Sequence, residues 1–294
     1  MTRSPRSAAG FLVKVYLSTS ALRHLWPATE PCSVGDELYA RTCDALQVAW
    51  PGELETYLAL AREAASGASP IVLELACGTG RVALPMADAG CDVWAVDRSA
   101  AMLEIARTKR PAENPRWIQG DMRSVEIDGH ADLAIIAAQS FQFMLTAADQ
   151  LATLANIHRH LRVGGRLAVH VELAGRDWLA GLPEVAPAPA DRLTASLRDS
   201  TTGAEWQSRY AWSLDRLAEV VTFHVDWLRI ADGQVVEHLR QEEMSLKVIG
   251  VIEMEHVLLR AGFDVVERRE WVGGTSGSHD ARQLLWIARP GESQ

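Results

Sequence analysis

The chain has 294 residues, 48% of them apolar, and a formal charge of −9. That is enough apolar content for one packed α/β core plus an insertion, and the length is short for two full domains. The acidic balance lacks the footprint of a nucleic-acid binder, and no apolar run is long enough for a membrane span. Arg3 and Arg6 precede an apolar stretch that Lys14 interrupts, which makes a poor secretory signal, so the expectation is a cytoplasmic protein. Cys32, Cys43, Cys77 and Cys91 show no metal spacing and are expected to be reduced thiols, with no metal site.

In chain order, residues 1–34 are expected to be an N-terminal segment without a firm fold, although Phe11–Leu17 could start a strand or a helix. Gly35–Trp50 is predicted to be a helix ended by Pro51-Gly52, and Glu53–Ala65 a second one. Ile71–Leu75 is a β-branched and aliphatic strand. Gly78 and Gly80 then allow a sharp turn into a helix over Arg81–Ala89, whose first N–H groups face outward. Glu74 is a carboxylate in a buried strand and needs a partner.

Strand and helix continue to alternate: Cys91–Val96 ending at Asp97, a helix over Ala100–Lys109 capped by Ser99, then Arg116–Gln119, Ala131–Ala137, a helix over Ala147–Leu161, and Arg166–Val171. Such alternation with apolar strands predicts a parallel sheet covered on both faces. Past Gly175 the pattern changes. Pro183, Pro187 and Pro189 break helices, Ala186–Ala190 is loop-like, and Glu205–Leu214, Leu217–Ile230 and Gln234–Lys247 suggest antiparallel strands with a hairpin turn at Asp232-Gly233. The core resumes with a helix over Ile252–Ala261 and strands at Phe263–Glu270 and Leu284–Ala288.

Several residues carry chemistry. Gly78-x-Gly80-x-x-Ala83 satisfies a loose dinucleotide fingerprint. Asp97, nineteen residues after Gly78, is placed to bind ribose hydroxyls, or else to complement a helix dipole. Neither feature separates NAD from another adenosyl cofactor.

The string Glu74-Leu-Ala76-Cys-Gly78-Thr-Gly80-Arg81 resembles the first motif of class I S-adenosylmethionine-dependent methyltransferases. Gly120-Asp121-Met122 and Leu161-Arg162-Val163-Gly164-Gly165 resemble later motifs, with Val163 where proline is usual. Ser140-Phe141-Gln142 resembles the small-molecule, natural-product N- and O-methyltransferase branch, as do Leu38-Tyr39 and Pro51-Gly52-Glu53. The resemblance covers residues 36–174 well and 250–289 loosely. It departs at Val248–Glu253 and at Glu270–Thr275.

The resemblance implies a Rossmann-like, seven-stranded, mostly parallel sheet with helices on both faces and an antiparallel β lid after strand five. It implies a cofactor-binding core over 35–174, a substrate lid over 175–247 and a returning core over 248–294. S-adenosyl-L-methionine would be held by Tyr39, Glu74, Ala76, Gly78, Gly80, Asp97, Arg98, Met102, Asp121, Met122 and Gln139. Glu74 would face its cationic end, and Asp121 its adenine. Phe141, Gln142, Trp206 and Trp271 would meet a small-molecule substrate, the tryptophans alternatively packing lid on core or forming a homodimer contact. His170 and Glu172, on one face of strand five, and His224 and His238 in the insertion are base candidates if the acceptor is a hydroxyl. Use of the same cofactor without methyl transfer, NAD-dependent hydride transfer, and non-enzymatic cofactor sensing remain open at this point.

Overall fold

A computed structural model describes residues 34–46, 50–65, 67–185, 193–271 and 282–291. The expectations for residues 1–33, for the loop at 186–190 and for the stretch 272–275 lie outside these. The described elements are α1 (Val34–Leu46), α2 (Glu53–Ala64), β1 (Ile71–Leu75), α3 (Ala83–Asp88), β2 (Asp92–Asp97), α4 (Ala100–Lys109), β3 (Arg116–Gln119), β4 (Ala131–Ile136), a 3-10 turn (Ser140–Phe143), α5 (Ala147–His160), β5 (Leu161–Leu173), α6 (Arg176–Gly181), β6 (Leu193–Arg198), β7 (Glu205–Asp215), β8 (Val220–Ala231), β9 (Gln234–Lys247), α7 (Val251–Arg260), β10 (Phe263–Trp271) and β11 (Arg282–Pro290).

Seven strands form one sheet in the order β10-β11-β5-β4-β1-β2-β3. Only β11 runs against the rest, pairing antiparallel with β10 and β5. Every residue of β4 is buried, as its mostly apolar sequence requires in the middle of a sheet covered on both faces; its one acid, Asp132, accepts the Ile71 N–H at 2.8 Å and pairs with Arg162. On one face Leu73, Ile136, Val169 and Trp286 pack with Leu154 and Ile157 of α5 and Met254 and Leu258 of α7. On the other, Val72, Ile135, Ala168 and Leu285 pack with Tyr57, Leu60 and Ala61 of α2, Met86 of α3 and Leu103 of α4.

Strands β6–β9 form a separate antiparallel meander in the order of the chain. Trp206, Tyr210, Val225 and Trp227 from it bury against Leu38, Tyr39 and Ala40 of α1 and Met102 of α4. Arg41 of α1 pairs with the buried Asp199 at 3.1 Å, fastening the same seam. At its other end, Lys247 of β9 accepts a hydrogen bond on its backbone carbonyl from Gln142 of the 3-10 turn at 3.0 Å. The meander thus bridges from α1 to the turn that follows β4.

Three local differences from expectation have simple causes. The helix after the glycine loop starts at Ala83 instead of Arg81, because Gly80 N–H turns back to the Cys77 carbonyl at 3.0 Å and prolongs the loop. β6 was not anticipated: its short Leu193-x-Ala195-x-Leu197 alternation follows a proline-rich stretch. Nor was α6, six residues between Gly175 and Pro183 with no buried residue to create a periodic signal.

Candidate active site

The order of the sheet reverses between β1 and β4, the place where ligands bind in open α/β sheets. Ala76 after β1 (φ 58°) and Ala138 and Gln139 after β4 (φ 52° and 66°) all adopt left-handed backbone there. Such conformations cost side-chain-bearing residues of order 1 kcal/mol or more, and they concentrate where chain ends must clear a ligand.

Glu74, at the end of β1, is 2% exposed. Its carboxyl accepts the Ala83 N–H, and burial pushes it up to about 8, with Arg81 pulling the other way. Its Oε2 is buried and has no hydrogen-bond partner among the described residues. Arg81 itself is held by Glu53 of α2 through both guanidinium nitrogens, one at 2.9 Å. Gly52, with φ 77°, turns the chain so that Glu53 opens α2 and also accepts the Trp50 N–H at 3.2 Å.

Asp97, at the end of β2, is 4% exposed and braces the glycine loop. Its Oδ2 accepts the Gly78 N–H at 2.7 Å and its Oδ1 the Ser99 N–H at 2.8 Å. Burial pushes this carboxyl up, against the Ser99 and Gly78 N–H groups that favour its charge. Each oxygen keeps room for a further donor, as a carboxylate has about four acceptor positions. Ser99 caps α4 as expected, its hydroxyl accepting the Met102 N–H at 3.3 Å.

Gly120 N–H donates to the Asp97 carbonyl at 3.0 Å, which sets Asp121 and Met122 beside the same strand end. Burial alone would raise Asp121, but the Arg123 side chain and N–H hold it below the usual carboxylate range. Arg123 grips both Asp121 oxygens, at 3.0 and 2.6 Å, and reaches Asp149 at 2.6 Å. The Arg98 charge also acts on both Asp97 and Asp121, and its carbonyl accepts the Gln119 amide at 3.3 Å. Glu74, Ala76, Gly78, Gly80, Asp97, Arg98, Asp121 and Met122 are therefore gathered at the adjoining ends of β1, β2 and β3.

Tyr39 and Met102 stand slightly apart, in the seam where α1 meets α4 and the meander. Cys43 links that seam to the loop, with its Sγ 3.9 Å from Met102 Sδ and 3.8 Å from Thr79 Oγ1. Thr79 also donates to Asp44 at 2.6 Å, and Lys109 donates to both Asp44 and the Thr79 carbonyl, at 2.8 and 3.0 Å. These contacts, which close α1 over the glycine loop, carry no signature in the sequence. Burial pushes the Cys77 thiol well up, so it is no nucleophile.

Gly80 tolerates no side chain. Its φ is 90°, and an added Cβ would lie 2.7 Å from Trp117 Cη2 and 3.1 Å from Leu84 Cγ. Gly80→Ala is expected to lower stability by about 1–3 kcal/mol through strain and overpacking, and to weaken S-adenosylhomocysteine binding; urea unfolding and calorimetry check the two effects.

Beyond β4 lies a second polar group. Gln139 (2% exposed) donates to Glu172 Oε2 at 3.0 Å and to Gln283 Oε1 at 3.1 Å. Gln283 of β11 donates its own amide to the same Glu172 oxygen. Its Oε1 therefore accepts from His170 Nε2, at 2.7 Å, and His170 carries its proton there. The edge of Trp50 meets the His170 ring at 5.5 Å between centroids. Gln142 accepts the Glu172 N–H at 2.8 Å. Burial pushes the Glu172 carboxyl up to about 7 against its two amide donors. Gln283 escaped the sequence reading, because a glutamine in a late strand has no local mark of function.

The four substrate candidates have different surroundings. Phe141 is fully buried in the core with Leu154 and Met254, beneath the 3-10 turn. Gln142 clamps β5 to β9. Trp206 is buried in the seam with Tyr39 and Met102. Trp271 ends β10 opposite Gln283, and its side chain lies outside the described residues.

Glu74 and Glu172 set a pH dependence. Their folded-state values, about 8 and about 7, exceed the ordinary 4.5, so the native chain holds extra protons between those limits. Stability is expected to fall as pH rises from about 4.5 to about 8 and to level off above. Urea unfolding across this range checks it, and Glu74→Gln should flatten the slope.

The residues fit S-adenosylmethionine. A buried carboxylate oxygen without a partner beside a glycine loop suits a cationic group, and Asp97 has acceptor positions to spare. Among the described residues no group of His, Cys, Asp and Glu is placed to hold a metal, and no helix is long and apolar enough to cross a membrane.

Comparison with known proteins agrees. A family model described as a methyltransferase domain matches residues 72–165. The chain is 28% identical over 220 residues to the putative methyltransferase YqeM of Bacillus subtilis (strain 168), covering 74% of this chain and 83% of that one. A further curated relative, 34% identical, is matched over 94 residues only, 38% of its length. Two solved structures share the fold. An S-adenosylmethionine-dependent methyltransferase from Clostridium acetobutylicum ATCC 824 has a TM-score of 0.66 at 17% identity, covering 86% of this chain and 96% of its own. CalS10, an amino pentose methyltransferase from Micromonospora echinaspora, has a TM-score of 0.61 at 18% identity, covering 90% and 100%. With the family model, the curated relative, the fold and the acids around the glycine loop in agreement, the chain is a class I S-adenosylmethionine-dependent methyltransferase.

Proposed function

We propose that this enzyme methylates an amine or hydroxyl group of a small molecule in secondary metabolism, with residues 175–247 covering the acceptor. The observation that carries this reading is the polar group at the ends of β4, β5 and β11. Gln139, His170, Glu172 and Gln283 are bonded together inside an otherwise apolar face, which packing alone does not require. CalS10, described as acting on an amino pentose, shares the fold and gives the acceptor class a precedent.

When bound, S-adenosylmethionine supplies an electrophilic methyl group. Glu74, Ala76, Gly78, Gly80, Asp97, Arg98, Asp121 and Met122 would hold it, with Tyr39 and Met102 on the α1 side and Gln139 at the border with the acceptor. The chain contributes chiefly by fixing the acceptor in a dry site. The meander packs against α1 and α4 on the cofactor side, and the amides of Gln139 and Gln283 fix the Glu172 carboxyl. For a hydroxyl acceptor Glu172 or His170 would take the proton.

The test is incubation of the full chain with methyl-labelled cofactor and a set of amino sugars and their hydroxyl counterparts. Label in an acceptor supports the reading. Cofactor consumed with no label in any acceptor points instead to cyclisation or decarboxylation.

A further inference from the structure

We infer that Glu172, held by Gln139 and Gln283, is the docking and proton-accepting group for a substrate that arrives as an ammonium ion. This deepens the methyltransferase reading, on which it rests, by choosing an amine over a hydroxyl.

The geometry carries the choice. Both amide donors converge on one oxygen, Oε2. The other, Oε1, accepts no hydrogen bond from any described residue, and Glu172 is the one member of the group that is not fully buried. Gln139, His170 and Gln283 are each exposed by 2% or less, and they form a fixed floor behind it. The carboxylate is thus pinned from one side and open from the other.

No described cation neutralises it. On β9, Lys247 is committed to Glu219 at 2.9 Å and to the Ala218 carbonyl at 3.0 Å. On β11, Arg282 pairs with Glu270 at 2.6 Å. On α2, Glu53 is paired with Arg81. On β5, His170 is turned to Gln283, and the 3-10 turn offers only Phe141, Gln142 and Phe143 apart from Ser140. A carboxylate in such surroundings lacks a counter-ion, and a substrate ammonium supplies one, which a hydroxyl cannot.

The same pairing makes the amine reactive. An ammonium nitrogen has no lone pair. On transfer of one proton its N–H bond breaks, the electron pair stays on nitrogen, and an O–H bond forms at Glu172 Oε1. The neutral amine is left with its lone pair, and the proton leaves Glu172 to solvent when product departs. A carboxyl that burial holds at about 7 exchanges that proton close to neutrality. Gln283 acts through Glu172, as a positioning residue.

The test uses the full chain labelled with ¹³C at glutamate side-chain carboxyls, with Glu172→Gln assigning the resonance. Calorimetry first establishes S-adenosylhomocysteine binding to the unaltered protein; no binding would end the methyltransferase reading itself. The Glu172 carboxyl is then titrated alone, with methylammonium chloride, and with methanol plus sodium chloride at equal ionic strength. Methylammonium should lower the midpoint by about one pH unit at saturation, and methanol should leave it in place. Equal midpoints in a protein that binds S-adenosylhomocysteine would overturn the ammonium assignment. Gln283→Leu removes one donor and should raise the midpoint; an unmoved midpoint in the folded variant would overturn the positioning role.

Discussion

Replacing Asp97 by alanine is expected to weaken S-adenosylhomocysteine binding by about 100-fold or more, which corresponds to roughly 2.7 kcal/mol. Two losses add. The ribose loses its charged acceptor, an interaction commonly worth about 1.5–3 kcal/mol. The glycine loop loses the brace that joins Gly78 at 2.7 Å to the start of the following helix through Ser99 at 2.8 Å. Asp97→Asn separates them in part: an amide keeps one oxygen acceptor but turns N–H groups toward a backbone that also donates. Calorimetry on both variants, with circular dichroism to confirm folding, decides. An alanine variant that binds within threefold of the parent would remove Asp97 from the cofactor site.

Arg81→Met should cost about 3–5 kcal/mol of stability. Arg81 and Glu53 form a two-pronged pair in which Glu53 is 2% exposed. Removing the guanidinium leaves Glu53 buried with only the Trp50 N–H, at 3.2 Å, as a donor. It also withdraws the charge that opposes the rise of Glu74, so Glu74 should move further up. Removing both partners, as Glu53→Gln with Arg81→Met, should be markedly milder than the single change, since the uncompensated charge is gone. Urea unfolding of the three variants measures this, and a double variant no better than the single would contradict the buried-charge account.

Much of the cofactor side was legible because its signals are local. An apolar run before Gly78 makes a strand, glycine permits the turn at Gly80, and an acid closing the next strand sits at a loop–helix junction. Ser99 was readable as a cap for the same reason. What Asp97 does for the loop was not legible, since a ribose ligand and a backbone brace call for the same residue. Asp121 was readable as a turn acid, but not its grip by Arg123 and, through it, Asp149.

The acceptor side was less legible. Strand alternation placed His170 and Glu172 on one face, yet nothing nearby in the chain explains their burial. Their partner Gln283 lies 111 residues beyond Glu172. The tryptophans of the meander were readable as apolar anchors but not as the seam they share with Tyr39 and Met102.

The sequence by itself determined the alternation of strands and helices, the glycine loop and its acids, and the antiparallel character of the later strands. Each follows from side-chain periodicity and backbone freedom over a few residues. Only the tertiary structure decided which distant groups meet: Arg81 with Glu53, α1 with Thr79, and Gln283 with Glu172. Those meetings depend on strand β11 being inserted between β10 and β5, on α2 packing beside α3, and on α1 packing against α4 beside the glycine loop, arrangements selected by the burial of whole faces and not by any short run of residues.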